Sequence, residues 1–133
     1  MLTAEEKESF LENGYLHARG VLDAGHLETV RAEFDSIWER EGPRVNQHKL
    51  LKHRTFIDLI EHPPILDRHK SIFRNQTQLL QFDLLRQGPN SGMPERGWHR
   101  DFSFPGDNPL SINTILYLDD INEEVGPTYV VPG

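Results

Sequence analysis

A histidine and an aspartate stand two residues apart in this chain, at His99 and Asp101. On an extended segment, side chains at positions i and i+2 point to the same face. Their imidazole nitrogen and carboxylate oxygen can then hold one metal ion together, while Arg100 points away. They would supply two of the three ligands of a 2-His-1-carboxylate site for non-haem Fe(II). The spacing therefore predicts a metal site at this point of the chain.

The spacing is weak evidence when it is taken alone. With 7 histidines and 21 acidic residues among 133, about one His-x-acid pair is expected by chance. A second pair, His26 and Glu28, lies in a predicted helix, where positions i and i+2 are about 200° apart. These two side chains cannot share an ion, and we expect His26 to be a solvated surface residue.

Aromatic residues flank the first pair, at Trp98, Phe102 and Phe104. They are expected to form a dry wall that tunes a metal site. The same residues also fit a structural interpretation, in which His99 and Asp101 form a hydrogen-bonded pair and the aromatic rings belong to the core. Spacing alone leaves both interpretations open.

Other kinds of reactive site lack their motifs. The chain has no cysteine, which excludes disulfides, thiolate metal sites and a cysteine nucleophile. It has no Gly-x-Ser-x-Gly elbow, no phosphate-binding glycine loop and no His-x-x-x-His zinc motif. The remaining histidines show no ligand spacing, and we expect most of them on the surface: 17, 48, 53, 62 and 69.

Length and composition fit one soluble globular domain. The chain has 133 residues, of which 36% are hydrophobic and 26% are charged. Its formal net charge of −7 argues against binding to nucleic acid or to an anionic membrane. No apolar run reaches membrane-spanning length, and the N-terminus lacks the pattern of a signal peptide. We expect a cytoplasmic protein.

Local signals predict four helices in the first 74 residues. Thr3 and Glu6 form a capping-box pattern before the first helix, and Gly14 is placed to end it. Asp23 caps the second helix, and Gly42-Pro43 ends it. Its apolar face carries Leu27, Val30, Phe34 and Ile37. Two shorter helices are predicted at 55–61 and 64–74, after a loop at 44–54.

Strand patterns dominate the rest of the chain. Strands are predicted at 15–22, 76–86, 110–118 and 128–131, with the strongest at 110–118. A polar loop at 87–97, a turn at 105–109 and an acidic loop at 119–125 separate the later strands. Helices followed by strands indicate an α+β fold, with helices at 1–74 covering one side of a sheet or barrel at 75–133.

Three stretches together resemble the phytanoyl-CoA dioxygenase family. Residues 2–16 are similar to its N-terminal helix and the start of the strand after it, and Trp98-His99-Arg100-Asp101-Phe102 resembles its iron motif. Residues 116–120 (LYLDD) and 126–133 (GPTYVVPG) resemble its Leu-Asp-Asp … Val-Pro-Gly-Ser-His stretch. The three matches follow the order and spacing of the family.

The resemblance implies an Fe(II)/2-oxoglutarate-dependent dioxygenase that hydroxylates a small organic substrate with O₂. The implied fold is a double-stranded β-helix (jelly roll) behind the helical cover, within one domain of residues 1–133. His99 and Asp101 correspond to two iron ligands. Gln81 corresponds to a strand position that reaches co-substrate or substrate, and Asn113 to a residue lining the pocket. A carboxylate at Asp101 favours hydroxylation, because halogenating relatives have a small residue there.

The resemblance also implies that part of the site lies elsewhere. The second iron-binding histidine of the family, and the arginine that binds 2-oxoglutarate, have no counterpart up to Gly133. We therefore expect the chain to be the N-terminal part of a dioxygenase, with an incomplete jelly roll and weak binding of Fe(II). Two alternatives remain: a non-catalytic jelly-roll module that binds a metal or ligand, and an interaction domain that uses the second helix.

Overall fold

The computed structural model describes residues 1–42, 45–73, 76–86, 97–101 and 111–133. These residues form helices and a small two-stranded sheet, so the predicted α+β class is confirmed. The helices are α1 (Ala4–Asn13), α2 (Ala24–Glu41), α3 (Gln47–Leu50), α4 (Arg54–Glu61) and α5 (Pro63–Phe73). The strands are β1 (Val45–Asn46) and β2 (Asp83–Leu84), and Glu123–Val125 form a 3-10 turn.

Helix α1 begins and ends where its local signals place it. The Thr3 hydroxyl accepts a hydrogen bond from the Glu6 backbone N–H at 3.1 Å, and the Glu6 carboxylate accepts one from the Thr3 N–H at 2.8 Å. Together they satisfy two donors that the first helical turn leaves free. Gly14 ends the helix at φ 78°, a left-handed conformation that glycine adopts without steric cost.

Helix α2 supplies the main apolar face. Asp23 accepts a hydrogen bond from the His26 N–H at 2.8 Å and caps the helix, as predicted. Val30, Phe34 and Ile37 recur every three or four residues and are all buried. The helical face predicted from their spacing is therefore confirmed.

The predicted loop at 44–54 is wrong in part, because its apolar residues are buried rather than solvated. Val45 is 3% exposed and forms β1 with Asn46, whose side chain then caps α3. Leu50 in α3 is fully buried, whereas Leu51 is 42% exposed. Burial of Val45 and Leu50 in the core stabilises a short strand and a short helix in a polar segment whose sequence has neither helical nor strand periodicity. Arg44 lies outside the described residues.

Helices α4 and α5 match their predicted positions to within a residue at each described end. His62 separates them and its ring Nε2 lies 2.9 Å from the Val21 carbonyl oxygen. Phe56 of α4 is fully buried, and its ring meets that of Phe82 at a centroid distance of 6.0 Å. This contact connects the helices with the segment that leads into β2.

Strands β1 and β2 pair in antiparallel fashion, with Val45 opposite Leu84 and Asn46 opposite Asp83. Only two residues of the predicted strand at 76–86 are therefore in a ladder. Leu84 is buried, but Leu80, which an extended strand would place on the same face, is 63% exposed. The buried apolar residues of the described chain are Val30, Phe34, Ile37, Val45, Leu50, Phe56, Leu59 and Leu84.

Three other predicted strands are wrong for the residues that the structure describes. Residues 15–22, 111–118 and 128–131 form no ladder. Gly20 interrupts the first at φ 62°, which is incompatible with an extended strand. The other two have apolar alternation, but among the described residues they belong to no ladder, and a strand needs a neighbouring strand for its backbone hydrogen bonds. Leu110 and the predicted turn at 105–109 lie outside the described residues.

The described chain forms two compact units. One contains Met1–Leu85 and Thr128–Gly133, and the other contains Arg86–Pro127. All the buried apolar residues named above belong to the first unit. Within the described ranges, no helix has the length and apolar character needed to cross a bilayer.

Candidate metal centre

His99 and Asp101 face each other in the second unit. The imidazole Nε2 of His99 lies 3.2 Å from Oδ1 of Asp101, and the two side chains are 48% and 46% exposed. Two donors at right angles, each about 2.1 Å from a first-row metal ion, would be about 3.0 Å apart. The observed separation fits adjacent ligand positions around one ion.

The other ring nitrogen of His99 has a backbone partner. Nδ1 lies 2.8 Å from the carbonyl oxygen of Gly97. A carbonyl oxygen only accepts hydrogen bonds, so Nδ1 must carry the proton in this contact. With the proton on Nδ1, a neutral ring has its free lone pair on Nε2, the atom that would bind a metal ion. Metal-bound histidines are oriented by the same kind of contact.

The second oxygen of Asp101 has a side-chain partner. Asn113 donates a hydrogen bond from Nδ2 to Oδ2 of Asp101. Because an ionised carboxylate only accepts, the amide must present its nitrogen rather than its oxygen. Oδ1 is thereby left to face His99. The structure thus brings together three of the four residues predicted for the site: His99, Asp101 and Asn113.

A comparison with models of protein families identifies the family of this chain. The family model for phytanoyl-CoA dioxygenase (PhyH) matches residues 10–133, which include the His99–Asp101 pair. This chain belongs to the phytanoyl-CoA dioxygenase family. Members of the family generally use Fe(II) and 2-oxoglutarate. No curated protein and no solved structure matches the chain, so the assignment rests on the family model.

The donor set fits the metal that the family uses. One neutral imidazole and one carboxylate are ligands of the 2-His-1-carboxylate type, which binds Fe(II) and leaves positions open. Among the described residues there is no cluster of three histidine, aspartate, glutamate or cysteine side chains. Within the described part of the chain, the pair offers two donors, one fewer than the three of a facial triad.

Gln81 has a local partner in the first unit. Its side chain is exposed and donates a hydrogen bond from Nε2 to Oδ2 of Asp83. This contact joins neighbours on one face of an extended segment. The role predicted for Gln81, binding of the co-substrate, is not tested by it and stays a prediction.

Trp98 does not form the dry wall that its sequence position predicts. It is 74% exposed within the part of the chain that is described. Phe102 and Phe104 lie outside the described residues. Any shielding of His99 and Asp101 from water must therefore come from elsewhere than Trp98 in its present position.

Several other histidines are less solvated than predicted. His26 is half-buried, and its ring packs edge-on against His62 at a centroid distance of 4.8 Å. His53 Nδ1 lies 2.8 Å from the Glu33 carboxylate, and His69 Nδ1 lies 2.9 Å from a backbone carbonyl oxygen of its own helix. His26 and Glu28 both lie in α2, as predicted for a pair that cannot share an ion.

The Gly97 carbonyl is the contact that sequence reasoning missed. A backbone oxygen leaves no signature in the residue type, so no sequence signal could have identified it. The Asn113 contact was also not foreseen, since it joins residues 12 positions apart. Alternation along a strand indicates which face a side chain shares, but it does not indicate a partner on another segment.

Proposed function

We propose that His99 and Asp101 are iron ligands of an Fe(II)/2-oxoglutarate-dependent dioxygenase that hydroxylates a small organic substrate. One observation carries the proposal. Nε2 of His99 and Oδ1 of Asp101 face each other at 3.2 Å, while the second polar atom of each side chain is held by another group. Membership of the PhyH family supports the choice of metal and co-substrate.

The two side chains divide the work of holding the metal. His99 provides a neutral nitrogen donor, and Asp101 provides a negative oxygen donor that offsets part of the charge of a divalent ion. Bound Fe(II), with 2-oxoglutarate and O₂, supplies the oxidising power that converts C–H to C–OH and releases succinate and CO₂. The protein contributes binding, orientation and shielding from water.

The carboxylate of Asp101 bears on the choice of reaction. It fills a ligand position that a small residue would leave open to a halide ion. With this position filled, we expect the outcome to be hydroxylation rather than halogenation. Arg100 is exposed and, as the sequence predicts for an intervening residue, takes no part in the His99–Asp101 contact.

A facial triad needs one more ligand than this pair supplies. We propose a second histidine in chain that follows Gly133, together with an arginine that pairs with the 2-oxoglutarate carboxylate. The jelly-roll fold that the family resemblance implies belongs to the same proposal. Sequencing the coding region past Gly133 tests it, and the absence of a histidine and arginine there would contradict it.

Manganese binding tests the pair directly, because Mn²⁺ takes the same ligands and gives an electron paramagnetic resonance signal that weakens on binding. We expect the 133-residue chain to bind Mn²⁺ weakly. His99→Ala and Asp101→Ala should each lower the affinity by at least about 10-fold. The matched controls are His48→Ala and Asp120→Ala, which remove exposed residues of the same types. Both controls should bind like the unsubstituted chain.

Two results would overturn the proposal. One is a chain that binds no Mn²⁺ at millimolar concentrations. The other is binding that persists after both His99 and Asp101 are replaced. Addition of 2-oxoglutarate separates an oxygenase from a non-catalytic metal-binding module, because a chelating co-substrate raises the apparent metal affinity by binding the same ion. An affinity unaffected by 2-oxoglutarate would favour the module.

A further inference from the structure

The Asp101 carboxylate must be held in one orientation if a single oxygen is to bind an ion at a defined position. Its side chain is 46% exposed, so packing does not restrict it to one rotamer. A free carboxylate can turn either oxygen toward an ion, or both, and can also swing into solvent. A site that uses one oxygen at a defined position therefore requires a partner for the other.

Asn113 is placed to be that partner. It comes from the described segment 111–118, whereas Asp101 ends the described segment 97–101, and both lie in the second compact unit. Its amide nitrogen donates to Oδ2, the oxygen that does not face His99. We infer that Asn113 is a positioning residue for the metal ligand Asp101, holding Oδ2 so that Oδ1 is presented to the ion.

The chemistry of the donor supports this role. A carboxamide is neutral, so it orients the carboxylate and leaves the negative charge available to a cation. A lysine or arginine at this position would make an ion pair and compete with the metal for the same charge. An amide therefore orients the carboxylate through a directional hydrogen bond and does not compete with the metal for its negative charge.

Exposure argues against a mainly structural role for the contact. Both side chains are exposed, so neither leaves a buried polar group that must be satisfied. Exposed hydrogen bonds between neutral and charged side chains add little to the stability of a fold. The contact is therefore expected to matter for the geometry of the carboxylate and not for the folding of the chain.

The two ligands are then held in the same manner. The backbone oxygen of Gly97 accepts from Nδ1 of His99, and the amide of Asn113 donates to Oδ2 of Asp101. Each partner occupies the polar atom that is not used for metal binding. Removal of an orienting group of this kind typically lowers metal affinity by about 10- to 100-fold.

This inference rests on the proposed function, so its test must separate the two. Mn²⁺ affinity is measured on the 133-residue chain and on Asn113→Ala, Asn113→Gln and the ligand variants His99→Ala and Asp101→Ala. Asn113→Ala should bind about 10-fold more weakly. Asn113→Gln, which retains an amide donor, should recover at least part of that loss. Asn13→Ala, which removes an exposed side-chain amide in α1, is the control and should bind normally.

A second readout needs no metal. The side-chain NH₂ resonances of Asn113 in the metal-free chain should shift when Asp101 is replaced by alanine, since the hydrogen bond to Oδ2 is lost. The side-chain NH₂ resonances of Asn13 should stay in place. This readout reports the contact itself, whatever the affinity of the site for an ion.

The outcomes are distinct. If the unsubstituted chain binds Mn²⁺ through His99 and Asp101 but Asn113→Ala binds equally well, the positioning role is wrong and the proposed function stands. Asn113 resonances that ignore Asp101→Ala would also overturn the positioning role. If the unsubstituted chain binds no Mn²⁺, the proposed function fails and the positioning role fails with it.

Discussion

The Nε2 atom of His99 lies 3.2 Å from Oδ1 of Asp101, and both side chains are about half exposed. The pair therefore combines a defined contact with little burial. None of the buried apolar residues of the described chain belongs to the segment 97–101. Substitutions in the pair should change metal binding without changing the stability of the fold, so each of the two effects can be measured independently.

Asp101 can be altered in charge or in length to separate the two requirements of a ligand. Asp101→Asn keeps the shape and removes the charge, and Asp101→Glu keeps the charge and adds one methylene. We expect each to lower Mn²⁺ affinity by at least about 10-fold, because a metal ligand needs both the negative charge and the correct side-chain length. The free energy of unfolding should change by less than about 0.5 kcal/mol. Normal binding by Asp101→Glu would contradict the importance of the 3.2 Å geometry.

Leu50 and Leu51 form a matched pair for testing the core. Leu50 is fully buried and Leu51 is 42% exposed, although they are adjacent and of the same type. Leu50→Ala should lower the free energy of unfolding by about 2–5 kcal/mol, through lost burial and the cavity left behind. Leu51→Ala should cost less than about 1 kcal/mol. Urea denaturation measures both, and equal costs would contradict the position of α3.

Glu41 gives the fold a specific dependence on pH. The Lys49 ammonium lies 2.7 Å from its carboxylate, and this hydrogen bond and the charge of Lys49 lower the pKa of Glu41 from the ordinary value of 4.5. Because the folded-state pKa is the lower one, the contact stabilises the fold above pH 4.5. That stabilisation is lost as pH falls through the lowered pKa.

The measurement compares urea midpoints of the unsubstituted chain and Glu41→Gln between about pH 7 and pH 2.5. Glu41→Gln should be the less stable at pH 7, and the difference should disappear at the acid end. The effect should be small and should shrink in high salt, since both side chains are partly exposed. Glu39→Gln, an exposed neighbour in α2, is the control. A difference that grows as pH falls would contradict the sign.

Local signals were sufficient to predict the ends of helices that are capped by residues next to them in the sequence. The Thr3–Glu6 capping box, Gly14 and Asp23 act within one helical turn, so the sequence alone contains the interaction. The apolar spacing of α2 likewise predicts its buried face. The phytanoyl-CoA dioxygenase family was predicted from three motifs, and the family model confirms it.

Strands were predicted less well because they depend on partners that are distant in the sequence. Residues 111–118 have strong apolar alternation, yet they form no ladder within the described chain. Leu84 does pair, and it does so with Val45, in a segment that had been predicted to be a loop. Alternation reports a tendency to be extended, whereas a ladder requires a neighbouring strand in register.

The candidate site shows the same difference between local features, which the sequence predicts, and contacts between segments, which it does not. The sequence by itself determined that His99 and Asp101 share a face, since their spacing on an extended segment leaves little choice. Only the tertiary structure decided which oxygen of Asp101 faces His99, because Asn113, from another segment, holds the other oxygen. A hydrogen bond between segments depends on how the chain folds back on itself, and that path is not encoded in the spacing of any one motif.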